Sequence, residues 1–176
     1  MANYLELEDL QIKAMSMLPD IFKQSEIQEE DVVTFIASSL STSTSLIIHM
    51  FSVREVDEKI VKTNLYSILF WTSVYAHILN ITLPYREDLM SVESADPWPD
   101  EVLHCGILAS LMLQYKASEL TLDYYLSEKH DIEEMQSCLW DVVSLVDVLA
   151  ERIGVTFKEV LNNKDGGRNE CFKFIL

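Results

Sequence analysis

The sequence predicts an all-α protein: a bundle core of four main helices with short flanking ones. Three observations carry this. Gly and Pro number four each in 176 residues, too few for the many turns of an all-β fold. About half of the chain is apolar (49%), enough to bury one sizeable core and too much for a disordered chain. Apolar residues also recur three and four apart over long stretches, which is the period of an amphipathic helix.

The elements follow in order. Residues 5–18 carry Leu7, Leu10, Ile12, Ala14, Met15 and Leu18 on one helical face. Pro19 is expected to stop this N-terminal helix, because it has no N–H and its ring crowds the preceding turn. Residues 29–51 form a second helix, with acids expected in its first turn to suit the dipole. Its middle, from Ser38 to Ser45, is almost entirely hydroxyl-bearing. Such residues permit close approach of a neighbouring helix, or bend their own by bonding back to carbonyls.

Residues 55–80 form a third helix. The apolar run 65–81 is broken by Ser67, Thr72, Ser73, His77 and Asn80. A membrane span needs ~20 mostly apolar residues, so the run reads as a buried helix. Residues 91–100, with Asp96-Pro97-Trp98-Pro99, form a linker. Asp100 caps a helix reaching about Tyr125. Asp131 caps the last long helix, with Glu133 and Glu134 in its first turn. That helix ends near Arg152, and Gly154 suits the left-handed residue beyond its end. Thr156 caps a short helix over residues 157–161.

Residues 1–176 read as a single domain with two similar halves, 30–83 and 100–157. Leu79-Asn80-Ile81-Thr82-Leu83 aligns with Ile153-Gly154-Val155-Thr156-Phe157, which sets Tyr66 on Trp140. Two tandem helix pairs, neither able to bury its apolar face alone, would stack into one core. The competing explanation is chance similarity between amphipathic helices.

The formal net charge is −16. Acids crowd the first third, including Glu26, Glu29, Glu30 and Asp31. This surface repels nucleic-acid phosphates and anionic membranes and attracts basic proteins; it also serves solubility. Cys105, Cys138 and Cys171 are odd in number and lack CxxC spacing, as expected of reduced, mostly buried thiols in a cytoplasmic protein. The N-terminus has neither the basic nor the apolar region of a signal peptide. His49, His77, His104 and His130 are scattered without zinc-ligand spacing.

One segment is more specific. Ile132-Glu133-Glu134-Met135-Gln136-Ser137-Cys138-Leu139-Trp140-Asp141 is followed by Gly154-Val155-Thr156-Phe157-Lys158-Glu159-Val160-Leu161. Together they resemble the last core helix and exit of the all-α nucleoside-triphosphate pyrophosphohydrolases, the MazG-like and dimeric dUTPase-like proteins. Leu103-His104-Cys105-Gly106-Ile107-Leu108 resembles that family's lead-in to its first motif. The resemblance implies a MazG-like bundle. It also implies a metal site of Glu-x-x-Glu on one helix and Glu-x-x-Asp on the next, whose carboxylates hold Mg²⁺.

Carried onto this chain, the Glu-x-x-Glu positions fall on Met112 and Tyr115. In the second motif, Glu133 or Glu134 supplies the Glu and Ser137 stands at the Asp. In the N-terminal half the slots fall near Ser41, Thr44 and Thr63. The site is therefore degenerate, and a Glu restored at Met112 is expected to be buried and costly.

Other acids, Glu119, Asp123, Glu128, Asp131, Glu133, Glu134 and Asp141, form either a displaced metal site or solvated caps. Asp141, between Trp140 and Val142, is expected to be a partly buried group needing a partner. The tyrosines, including Tyr66, Tyr75 and Tyr115, are either core or a base-stacking pocket.

The functional expectation is a pseudoenzyme: a catalytically degenerate MazG-like protein with a binding, inhibitor-type role and no catalytic residue, metal or cofactor. Its expected partner is a basic or nucleic-acid-binding protein, met through Glu26, Glu29, Glu30 and Asp31, or else a nucleotide-like ligand. No direct nucleic-acid or membrane binding is expected. Two alternatives stay open. One is an active Mg²⁺-dependent pyrophosphohydrolase with relocated carboxylates. The other is an acidic DNA mimic that inhibits a DNA-binding protein.

Overall fold

The computed structural model describes residues 2–25, 31–53, 56–83, 111–119 and 132–163. The protein is all-α, with six helices and no strand among the described residues. They are α1 (Ala2–Ser25), α2 (Val32–Ser52), α3 (Glu58–Ile78), α4 (residues 111–119), α5 (Ile132–Arg152) and α6 (Phe157–Leu161). The linker 91–100 lies outside the described residues.

Helix α3 is the axis of the bundle, in contact with α1, α2, α5 and α6. Its sequence requires this position. From Leu65 to Ala76 every residue is buried, as a helix apolar on all sides must be. Trp71 fixes the α2 face: it meets Phe35 edge-on at 5.1 Å and Phe70 edge-on at 5.1 Å. The Asp57 side chain caps the start of α3 by accepting from the Ile60 N–H at 3.1 Å.

Two expected boundaries are corrected. Helix α1 does not stop at Pro19 but runs on to Ser25. Leu18 and Ile21 are both buried, whereas Pro19 and Asp20 are exposed. Pro19 thus sits on the solvent side of the helix, and core burial on the other side carries the helix across. Helix α2 starts at Val32, later than expected, with no acid in its first turn. Asp31 stands at its N-cap in helical conformation and makes no side-chain cap bond.

The hydroxyl run in α2 bonds both back to its own helix and across to α3. Ser39 and Thr44 donate back to the Phe35 and Leu40 carbonyls at 2.9 Å each. Ser43 donates across to Ser67 of α3 at 3.2 Å, a contact only small side chains allow. By length and composition, α2 is the one described helix apolar enough to cross a membrane; here Val33, Ile36, Leu40, Ile47 and Phe51 are buried in the bundle.

The ends of α3 and α5 are built alike. Asn80 (φ 56°) and Gly154 (φ 75°) take the left-handed conformation. One residue later, the Ile81 N–H donates to the Ala76 carbonyl at 2.8 Å, and the Val155 N–H to the Ala150 carbonyl at 3.0 Å. This is the Schellman closure, which Gly and Asn favour. The register matches the Tyr66–Trp140 alignment. Val61/Met135, Leu65/Leu139, Ile68/Val142, Leu69/Val143, Tyr75/Leu149, Ala76/Ala150, Ile81/Val155 and Leu83/Phe157 are buried at both places. The stretches differ where α2 covers α3: Trp71 is buried, while its counterpart Leu145 is only half-buried.

After α5, Thr156 caps α6 through a capping box. The Glu159 N–H donates to the Thr156 hydroxyl at 3.2 Å, and the Thr156 N–H to the Glu159 carboxylate at 2.8 Å. The bonds that the Thr156 N–H and hydroxyl donate to the Glu159 carboxylate hold that carboxyl below its ordinary range. The expected cap is therefore present.

The Thr72 hydroxyl is fully buried and has no hydrogen-bond partner among the described residues. Its counterpart on α5 is Val146, also buried. Thr72→Val keeps the shape and removes an unsatisfied polar group, so it is expected to stabilise the protein by about 1 kcal/mol. Thermal unfolding should show a rise of roughly 2–4 °C. A fall in midpoint would mean that the hydroxyl has a partner.

Candidate functional site

The positions carried over from the resemblance lie on α4 and α5. Leu113 and Ala117 of α4 are buried, as are Met135, Cys138, Leu139 and Val142 of α5. Between these apolar contacts lies a polar cluster. The Lys116 ammonium pairs with Glu119 at 2.9 Å and with Asp141 of α5 at 3.1 Å. The Cys138 thiol donates to the Lys116 carbonyl at 3.3 Å and approaches Glu119 at 3.8 Å. The Tyr115 hydroxyl donates to Glu119 at 3.4 Å.

These contacts bring Lys116 and Glu119 of α4 beside Cys138 and Asp141 of α5. Met112 (47%) and Tyr115 (63%) are solvent-exposed, and Ser137 is exposed as well. The slots on α4 and Ser137 on α5 are thus open to solvent. The expected burial of a Glu at Met112 is corrected: that side of α4 faces water. Glu134 lies within α5, and its side chain is outside what is described.

In the N-terminal half the slots are closed in a different way. Thr44 is fully buried and bonds back to the Leu40 and Ser41 carbonyls. Thr63 is buried and accepts from the Asn163 amide at 3.4 Å, so a residue just beyond α6 seals it. Ser41 is exposed.

The electrostatics of the cluster follow from its geometry. The Glu119 hydrogen bond, then that of Asp141, raises the Lys116 pKa well above the ordinary lysine value. The Lys116 hydrogen bond in turn holds the Glu119 carboxyl below its ordinary range. Burial, followed by the Glu119 charge, pushes the Cys138 thiol up to about 12. That thiol is protonated at neutral pH and serves as a donor, not a nucleophile. It is a free, buried cysteine, as expected; Cys105 and Cys171 lie outside the described residues.

Asp141 thus has its expected partner, but sequence reasoning did not supply Lys116. The available signal was the i, i+3 spacing of Lys116 and Glu119. Of the acids weighed as a displaced metal site, Asp123, Glu128 and Asp131 lie outside the described residues, and Glu133 is exposed. Among the described residues no three of His, Cys, Asp and Glu are grouped to hold a metal ion.

Tyr66 and Tyr75 are core residues. Tyr66 also accepts from Lys13 at 3.2 Å. Of the acids assigned to a partner surface, Asp31 is exposed; Glu26, Glu29 and Glu30 lie outside the described residues. Comparison with protein-family models, curated proteins and solved structures finds no match for this chain.

Proposed function

We propose that this protein is a catalytically degenerate MazG-like bundle that works by binding, as a regulator or inhibitor of a basic or nucleic-acid-binding protein. The observation that carries the reading is the Lys116 ammonium between Glu119 and Asp141. A hard cation needs several oxygen ligands converging on one point. Here the converging carboxylates already share an internal cation, and they lie next to slots occupied by Met112, Tyr115 and Ser137. A protein partner is preferred to a free polyphosphate because basic residues number only 13 against 29 acidic ones.

The catalytic half of the reading is tested directly. Nucleoside triphosphates incubated with the protein and Mg²⁺ should release no pyrophosphate above the uncatalysed rate. Robust release, abolished by Glu134→Ala or Glu119→Gln, would overturn it and favour the active enzyme with relocated carboxylates.

The binding half is tested by affinity capture followed by association kinetics. Reversing Glu26, Glu29, Glu30 and Asp31 to Lys should slow association about 10-fold or more at low salt. The difference should shrink as salt screens charges beyond ~8 Å. An on-rate indifferent to both salt and reversal would leave these acids with no role in recognition.

A further inference from the structure

We draw no further inference here: the strongest candidate, the groove of about 340 Å³ between α1 and the C-terminal turn of α3, lined by Glu8, Gln11, Ile12, Met15, His77 and Asn80 among others, carries nothing because nothing in the structure shows what covers it.

Discussion

Trp71→Ala is expected to lower the unfolding free energy by about 3–5 kcal/mol, a large fraction of the roughly 5–15 kcal/mol that a domain usually has. Trp71 is 1% exposed and sits where α2 closes on α3. Truncating it removes the largest fully buried side chain among the described residues and both edge-to-face contacts, with Phe35 and Phe70. The cavity cannot close easily, because α3 is held from other sides by α1, α5 and α6. Urea unfolding followed by far-UV circular dichroism measures the loss. Leu145→Ala, at the matching position of α5, is the control. Leu145 is half-buried, so its truncation should cost clearly less. Equal losses at the two positions would contradict a two-sided α3 and a one-sided α5.

That asymmetry marks what sequence could and could not reveal. The two helix exits were legible because a left-handed residue restricts composition: Asn80 and Gly154 stand at the same register, each followed by an apolar residue that turns inward. The Thr156 cap was legible for a similar reason, since Thr and Glu three apart satisfy each other's backbone donors. These signals are local, and the chemistry that enforces them lies within a few residues.

Pro19 shows the limit of such signals. The local rule ends the helix there, yet Leu18 and Ile21 gain enough by burial to carry it on. Met112 shows another limit. An apolar residue in a helical pattern reads as core, but only tertiary packing decides which of Leu111, Met112 and Leu113 faces inward, and it is Leu113. The candidate site was the least legible. Slots counted along each helix fell on Met112, Tyr115 and Ser137, whereas the groups that meet across α4 and α5 are Lys116, Glu119, Cys138 and Asp141. Which residues face each other depends on the register between helices, which no count along one helix supplies.

The cluster at that register makes the second strong expectation. Lys116→Glu should destabilise the protein by roughly 2 kcal/mol, through loss of two partly exposed ion pairs and the addition of a like charge beside both acids. The neutral Lys116→Met should cost less, about 1 kcal/mol. The pH dependence separates this from simple damage to packing. In the wild type Glu119 has a lowered pKa, so its contribution is complete above the ordinary Glu value of ~4.3 and is lost as pH falls through the lowered one. Lys116 has a raised pKa, so its contribution is complete below ~10.4 and is lost as pH rises through the higher value.

In Lys116→Glu the crowded carboxylates resist ionisation, and protonation relieves them. The deficit relative to wild type should therefore narrow below about pH 4, and also at 1 M salt, where screening acts within ~3 Å. A deficit independent of pH and salt would assign Lys116 a packing role only. The swap Lys116→Glu with Asp141→Lys should recover part of the loss, because the inter-helix pair is rebuilt with its charges exchanged. Recovery should be incomplete, since Glu119 then faces a carboxylate on its own helix as well as the new ammonium on α5.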